Sequence, residues 1–173
     1  PLSCTVSRPP TEQVFADAYK QTDVLLQEVA LAKRNATKAH VFSPRTLSPK
    51  GELELVASGD WTSGFFPGTL WYLYEYSQDP KWLAEARRFT ALMEAEQWNG
   101  KTHDMGFKVF DSYGHGYRLT QDPAYKAVII QAAKTLSTRF NPKTGLILSW
   151  DHSRHKWDNP VIIDNLMNLE LLF

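Results

Sequence analysis

The sequence predicts an all-α fold assembled from repeated αα-hairpins, and three observations carry that expectation. Two triplets, Gln78-Asp79-Pro80 and Gln121-Asp122-Pro123, stand 43 residues apart, and in the same frame Trp82 matches Tyr125 and Ala84 matches Ala127. Each triplet opens a segment with apolar residues at helical spacing, preceded by an aromatic-rich one, which is the pattern of a helix-pair array. Almost nothing alternates with period two: Gly145 to Trp150 is the one short candidate strand.

The elements follow in order. Pro1 to Pro10 reads as an N-terminal tail, and residues 11–173 as one partial helical domain. Thr11 to Arg34 is the first helix, started at Thr11 or Glu12, with Val14, Phe15, Ala18, Leu25, Leu26, Val29 and Ala30 as its apolar stripe. Asn35 to Ser58 reads as a polar loop punctuated by Pro44, Pro49 and Gly51. Asp60 to Ser77 is aromatic on nearly every face after Pro67, as a buried helix is. Asp79 as N-cap and Pro80 at the first helical position then open an amphipathic helix to about Gln97. Lys81, Glu85, Arg87, Arg88 and Glu94 form its wet face. Asn99 to Gln121 repeats the buried member, and Asp122-Pro123 opens the amphipathic one to about Phe140.

Asn141 to Asn159 is a turn-rich connection carrying Trp150, His152, His155 and Trp157. Pro160 to Phe173 is the third buried helix, with Pro160 in its first turn, where a missing N–H costs nothing. That run meets the C-terminus with no cap, glycine or charged last turn. The array therefore reads as about half of a longer toroid or solenoid, or as one completed by a second chain. The isolated chain is expected to aggregate, because its last helix lacks cover.

Composition excludes several classes. Nineteen basic and nineteen acidic residues cancel, so the chain carries no electrostatic footprint for nucleic acid or a charged membrane surface. No apolar run is long enough to span a bilayer. One cysteine, Cys4, leaves no internal disulfide and no Cys-rich metal site, although its place after Leu2 and Ser3 would suit lipidation if a signal had been removed. Six tryptophans are a heavy loading for 173 residues, enough for a core and for a pocket that stacks on flat ligands.

Two carboxylates stand out. Asp164 lies alone among Ile162, Ile163, Leu166 and Leu169, and burial there favours the protonated acid. A structural aspartate held by Asn165, Asn168 or a helix N-terminus would look the same. Asp104 follows His103 in an expected helix N-terminal turn, where free N–H groups favour the ionised form, and a plain N-cap is its structural alternative. His152 and His155 invite a metal reading, but no third ligand stands at convincing spacing.

The segments WTSGFFPG (Trp61 to Gly68), THDMGF (Thr102 to Phe107), YGHGYRLTQDPAY (Tyr113 to Tyr125), RFNPKTG (Arg139 to Gly145), SWD (Ser149 to Asp151) and PVIIDNLMNLELLF (Pro160 to Phe173) occur in one order. Together they resemble glycoside hydrolase family 88, the unsaturated glucuronyl hydrolases, over most of the chain from Asp60 onward. The resemblance implies the N-terminal half of an (α/α)6 toroid, so that residues 11–173 would be a partial catalytic domain. It implies an unusual hydrolysis, in which the C4=C5 double bond of a uronate left by a polysaccharide lyase is hydrated. Asp164 matches the general acid/base and Asp104 the second carboxylate; His103 matches a substrate-contacting position, and Trp61 and Trp150 match pocket aromatics. It implies neither a metal nor a cofactor and favours a periplasm. His115, between Gly114 and Gly116, has backbone room to reach a ligand but reads as structural. The alternatives are the rhamnogalacturonan-directed family 105 and a helical fragment that serves only for binding or assembly. The saccharide, its linkage and its sulfation are not legible in these residues.

Overall fold

The structure, a computed structural model, describes residues 10–152 and 155–173, so residues 1–9 with Cys4 lie outside the described residues. Helix α1 (Thr11–Asn35) lies against the first helix pair. Phe15 stacks on Tyr76 with ring centroids 3.7 Å apart, and Tyr19 stacks on Trp82 at 5.6 Å. Val29 is buried as its spacing predicts, whereas Val14 faces outward.

Residues 35–58 are more ordered than the loop predicted for them. Strand β1 (Ser43–Leu47) pairs antiparallel with β2 (Leu53–Val56), with an irregularity between Pro44 and Thr46. Pro44 argued against a strand because it cannot donate to a ladder, and it stands where the register breaks, the place a sheet tolerates proline. Gly51, at φ +80°, closes the turn through its N–H to the Ser48 carbonyl.

The repeat is real. Helix α2 (Phe65–Ser77) ends at Gln78, left-handed at φ 57°, and α3 (Pro80–Ala91) begins with the Asp79 carboxylate accepting the Lys81 N–H. One repeat on, α4 (His115–Thr120) ends at Gln121, also at φ 57°, and α5 (Pro123–Ser137) begins with Asp122 accepting the Ala124 N–H. Both glutamine amides also donate back to carbonyls of the helix they end, which recovers part of the cost of a left-handed turn without glycine. Between α2 and α5 lie Leu70, Trp71, Ala86, Phe89, Met105, Val109 and Ala132, each at most 1% exposed. The Trp71 indole N–H is satisfied by the Thr90 hydroxyl at 2.9 Å.

Two features depart from the sequence reading. The segment before α4 is a π-helix, Gly106–Gly114, preceded by a 3-10 turn, Glu94–Trp98, so α3 stops short of Gln97. The stretch 160–173 is not one buried helix. Residues 160–163 are non-helical, α6 covers only Asn165–Asn168, and a 3-10 turn, Leu169–Leu172, follows. The reason is a contact with another segment: Ser149 donates its N–H to the Pro160 carbonyl and accepts the Ile162 N–H on its hydroxyl, so these backbone groups are spent outside a helix. Ile163, Leu166 and Met167 are 81%, 65% and 66% exposed, which overturns the buried third helix. The candidate strand within Gly145 to Trp150 survives as β4 (Leu146–Ile147), paired with β3 (Phe140–Asn141).

Candidate active site

The site is assembled where residues 102–107, 149–150 and 164–168 meet. Thr102 and Asp104 brace one another: the Thr102 hydroxyl donates to Asp104 Oδ2 at 2.6 Å and accepts the Asp104 N–H at 3.1 Å. The Asp104 carbonyl then accepts the Lys108 N–H and leads into the π-helix, so Asp104 precedes a helix as expected, but its carboxylate caps no backbone group of that helix. Lys108, fully buried, pairs with Glu96 at 2.6 Å. Burial alone would raise the Glu96 carboxyl, but the Lys108 ammonium, with help from Asn99, holds it below its ordinary value.

Asp164 stands just ahead of α6 rather than inside a buried helix, and its side chain is 29% exposed. Burial is therefore not what distinguishes it; access is. The segment that carries it is held by two contacts. A Cβ on Gly106 would lie 2.6 Å from the Asn168 Cα, so only glycine lets these backbones touch. Asn168, 1% exposed, accepts the Phe107 N–H at 2.9 Å and donates to the Asp164 carbonyl at 3.3 Å.

His103 lies between the two carboxylates. Its Nε2 is 3.1 and 3.3 Å from the Asp164 oxygens and 3.4 Å from Asp104 Oδ1, while Nδ1 is 2.8 Å from the Ser149 carbonyl. Trp150, half-buried, meets the His103 ring edge-on at 6.2 Å. Trp61, 47% exposed, belongs to an adjoining aromatic wall with Phe65 and Phe107, at centroid distances of 5.9 and 6.1 Å. The structure thus joins Asp104, Asp164, His103 and Trp150 directly, and Trp61 by way of Phe107.

Several residues here escaped sequence reasoning. Ser149, Gly106 and Phe107 lie inside the resembling segments, but nothing in those strings marks them as the joints of the site; Asn168 is expected only as a structural holder of Asp164, and it bonds that residue's carbonyl and the Phe107 N–H as well. Asp111, on the π-helix, has its carboxyl pushed up to about 7 by burial and, less, by Glu170. His115 lies between Tyr72 and Phe110, and burial, then Arg118, lowers its proton affinity. His152 and His155 are exposed, and His152 leans on Trp150. Among the described residues, a compact set of possible cation ligands is His103, Asp104 and Asp164, with one atom from each within 4.8 Å of the others. The same arrangement, two carboxyls on one imidazole nitrogen beside aromatic rings, has the groups that proton transfer and ring stacking require.

No family model matches the chain. It is 53% identical over 134 residues to the unsaturated glucuronyl hydrolase of Formosa agariphila, a match that takes in 75% of this chain and 33% of that protein. The unsaturated chondroitin disaccharide hydrolase of Streptococcus agalactiae is 36% identical over 118 residues, 66% of this chain and 29% of its own. The crystal structure of an unsaturated glucuronyl hydrolase specific for heparin superposes with a TM-score of 0.75 at 44% identity, covering 90% of this chain and 41% of that one. Such relatives have the (α/α)6 toroid fold, and this chain supplies its helix pairs over about 40% of their length. The chain spans about a third of the length of the curated relatives it matches. Sequence and superposition agree: the chain is a partial-length member of the unsaturated glucuronyl hydrolase family.

Proposed function

We propose that the protein to which this chain belongs removes the C4=C5-unsaturated uronate from the products of polysaccharide lyases by hydrating the vinyl ether. The observation that carries this reading is the meeting of Asp164 and Asp104, 60 positions apart in sequence, at the Nε2 of His103. Asp164, the more open of the two, gives a proton to C4, and positive charge develops at C5 and the ring oxygen. Asp104, held by Thr102, offsets that charge and grips the sugar. The Asp164 carboxylate then takes a proton from the water that adds at C5, and the hemiketal collapses with opening of the ring and release of the shortened saccharide. Trp150 and Trp61 supply the flat faces on which a sugar stacks.

Identity to glucuronyl and chondroitin disaccharide hydrolases, and likeness to a heparin-specific one, supports acidic unsaturated disaccharides of glycosaminoglycans as substrates. Nothing in these relatives favours the rhamnogalacturonan alternative. The same reading assigns an occupant to the exposed apolar face. A groove of about 660 Å³, lined by Phe140, Leu146, Ile147, Ile162, Leu166 and Leu172, would be covered by further helices of the toroid or by a partner chain.

The test is the ultraviolet absorbance of the conjugated double bond of an unsaturated heparin or chondroitin disaccharide. Loss of signal with the native residues and its retention with Asp164→Asn is the expected outcome. Equal loss with both proteins removes Asp164 from the mechanism. If the 173 residues do nothing, activity of a longer chain containing them, abolished by the same substitution, still satisfies the proposal; inactivity of that longer chain overturns it.

A further inference from the structure

His103 has no face left for a substrate. Its side chain is 2% exposed, and both ring nitrogens are engaged inside the protein. A carbonyl oxygen can only accept, so the 2.8 Å contact to Ser149 places a hydrogen on Nδ1. That carbonyl cannot drift, because Ser149 is fully buried and its N–H and hydroxyl are both tied to the 160–162 segment. The backbone that sets the tautomer is therefore bonded to the segment that leads into Asp164. A flipped ring would set carbon against the Ser149 carbonyl and lose that bond.

With Nδ1–H committed, Nε2 is the one ring atom left for the carboxyls, and it reaches both of them. A bare lone pair there would face only oxygen. The contact is favourable when one hydrogen lies on it, either on Nε2 or on the Asp164 carboxyl, and either case fixes the direction in which Asp164 points. We propose that His103 is a positioning residue: held in one tautomer by the Ser149 carbonyl, it orients the Asp164 carboxyl toward the substrate and fixes its separation from Asp104. This replaces the direct sugar contact expected for His103 and rests on the acid/base reading of Asp164.

Two measurements separate the inference from that reading. The first needs no turnover: solid-state 15N NMR of histidine-labelled protein, which tolerates self-association, with the His103 signals among five histidines identified by their loss in His103→Gln. Nδ1 is expected in its protonated form, and Asp164→Asn is expected to move the Nε2 resonance while leaving Nδ1 in place. A bare Nδ1, or an Nε2 indifferent to Asp164→Asn, overturns the inference.

The second measurement is kinetic, in the shortest chain that hydrolyses the disaccharide. Asparagine reproduces the Nδ1 donor but not the Nε2 reach, and glutamine does the reverse. His103→Asn is expected to lower kcat by about 100-fold with KM changed less than about threefold, and His103→Gln to recover about tenfold of that loss. A raised KM with kcat preserved would make His103 a substrate contact and sink the proposal. The expected NMR signature in a protein with no turnover at any length supports the positioning role while removing the hydrolase reading.

Discussion

Each residue of the site is held by its neighbours more than by its own element. Asn168 shows this: with one amide it binds the Phe107 N–H, beside Asp104, and the carbonyl of Asp164. Asn168→Ala leaves the Phe107 N–H without its acceptor, while the Asp164 carbonyl keeps the Met167 and Asn168 N–H groups, and is expected to cost about 1–3 kcal/mol in a chemical denaturation curve. Its larger effect should fall on the separation of the two aspartates, read as a loss of disaccharide hydrolysis beyond that explained by unfolding. A variant as active and as stable as the parent would show that the joint does not matter. From sequence, Asp104, Asp164 and Trp150 were legible as candidates because charge and aromatic rings declare themselves. Ser149 was not, since hydroxyls of this kind occur anywhere on a surface and only their partners distinguish them; Asn168 was legible as a neighbour able to hold Asp164, but not as the joint to Phe107.

At the scale of elements, the π-helix is the scaffold, and two carboxylates test it. Glu96 is held below its ordinary value because Lys108 outweighs its burial. Its stabilisation is therefore present above the unfolded carboxyl's value and is lost as pH falls. Lys108→Met leaves Glu96 buried and unpaired, at an expected cost of about 3–5 kcal/mol, whereas Lys108→Met with Glu96→Leu should cost clearly less than the single change. Asp111 has the opposite sign. Its folded value of about 7 lies above its unfolded one, so the folded protein holds the extra proton, and stability is lost as pH rises through about 7. Asp111→Asn is expected to raise Tm by about 2–4 °C at pH 8 and to change it little at pH 4. A uniform shift at both pH values would assign the effect to packing.

Helix order and the repeated Asp-Pro caps were readable, because capping chemistry is local. The β1–β2 hairpin and the broken helix of 160–168 were not. The hairpin lies in a polar stretch where Pro44, Pro49 and Gly51 read as loop punctuation, and the 160–162 backbone is fixed by hydrogen bonds to Ser149, so an apolar run there looks the same whether it coils or extends.

For the whole molecule, an apolar surface stands uncovered. Ile130, Phe140, Leu146, Ile163, Leu166 and Leu172 are each at least 40% exposed. A face of this kind drives self-association, so light scattering of the 173-residue chain is expected to show concentration-dependent oligomers. Ile163→Glu together with Leu166→Glu should abolish them with Tm nearly unchanged, since neither side chain is buried now. A monomer in the parent, or oligomers that persist in the double variant, would contradict this. The partial array was legible in the 43-residue repeat, but the sequence placed the last apolar run in the interior, and the structure leaves much of it outside.

The sequence by itself determined the all-α class, the repeat, its caps and the two carboxylates, because helix periodicity, Asp-Pro entry and unpartnered charge are properties of neighbouring residues. The tertiary structure decided where those carboxylates stand and what faces them. It put Asp164 at an accessible turn, set His103 between it and Asp104, and bonded Ser149 to both segments, all through contacts spanning 13 to 61 positions. Such contacts depend on backbone approach and hydrogen-bond direction, which no local pattern of residues encodes.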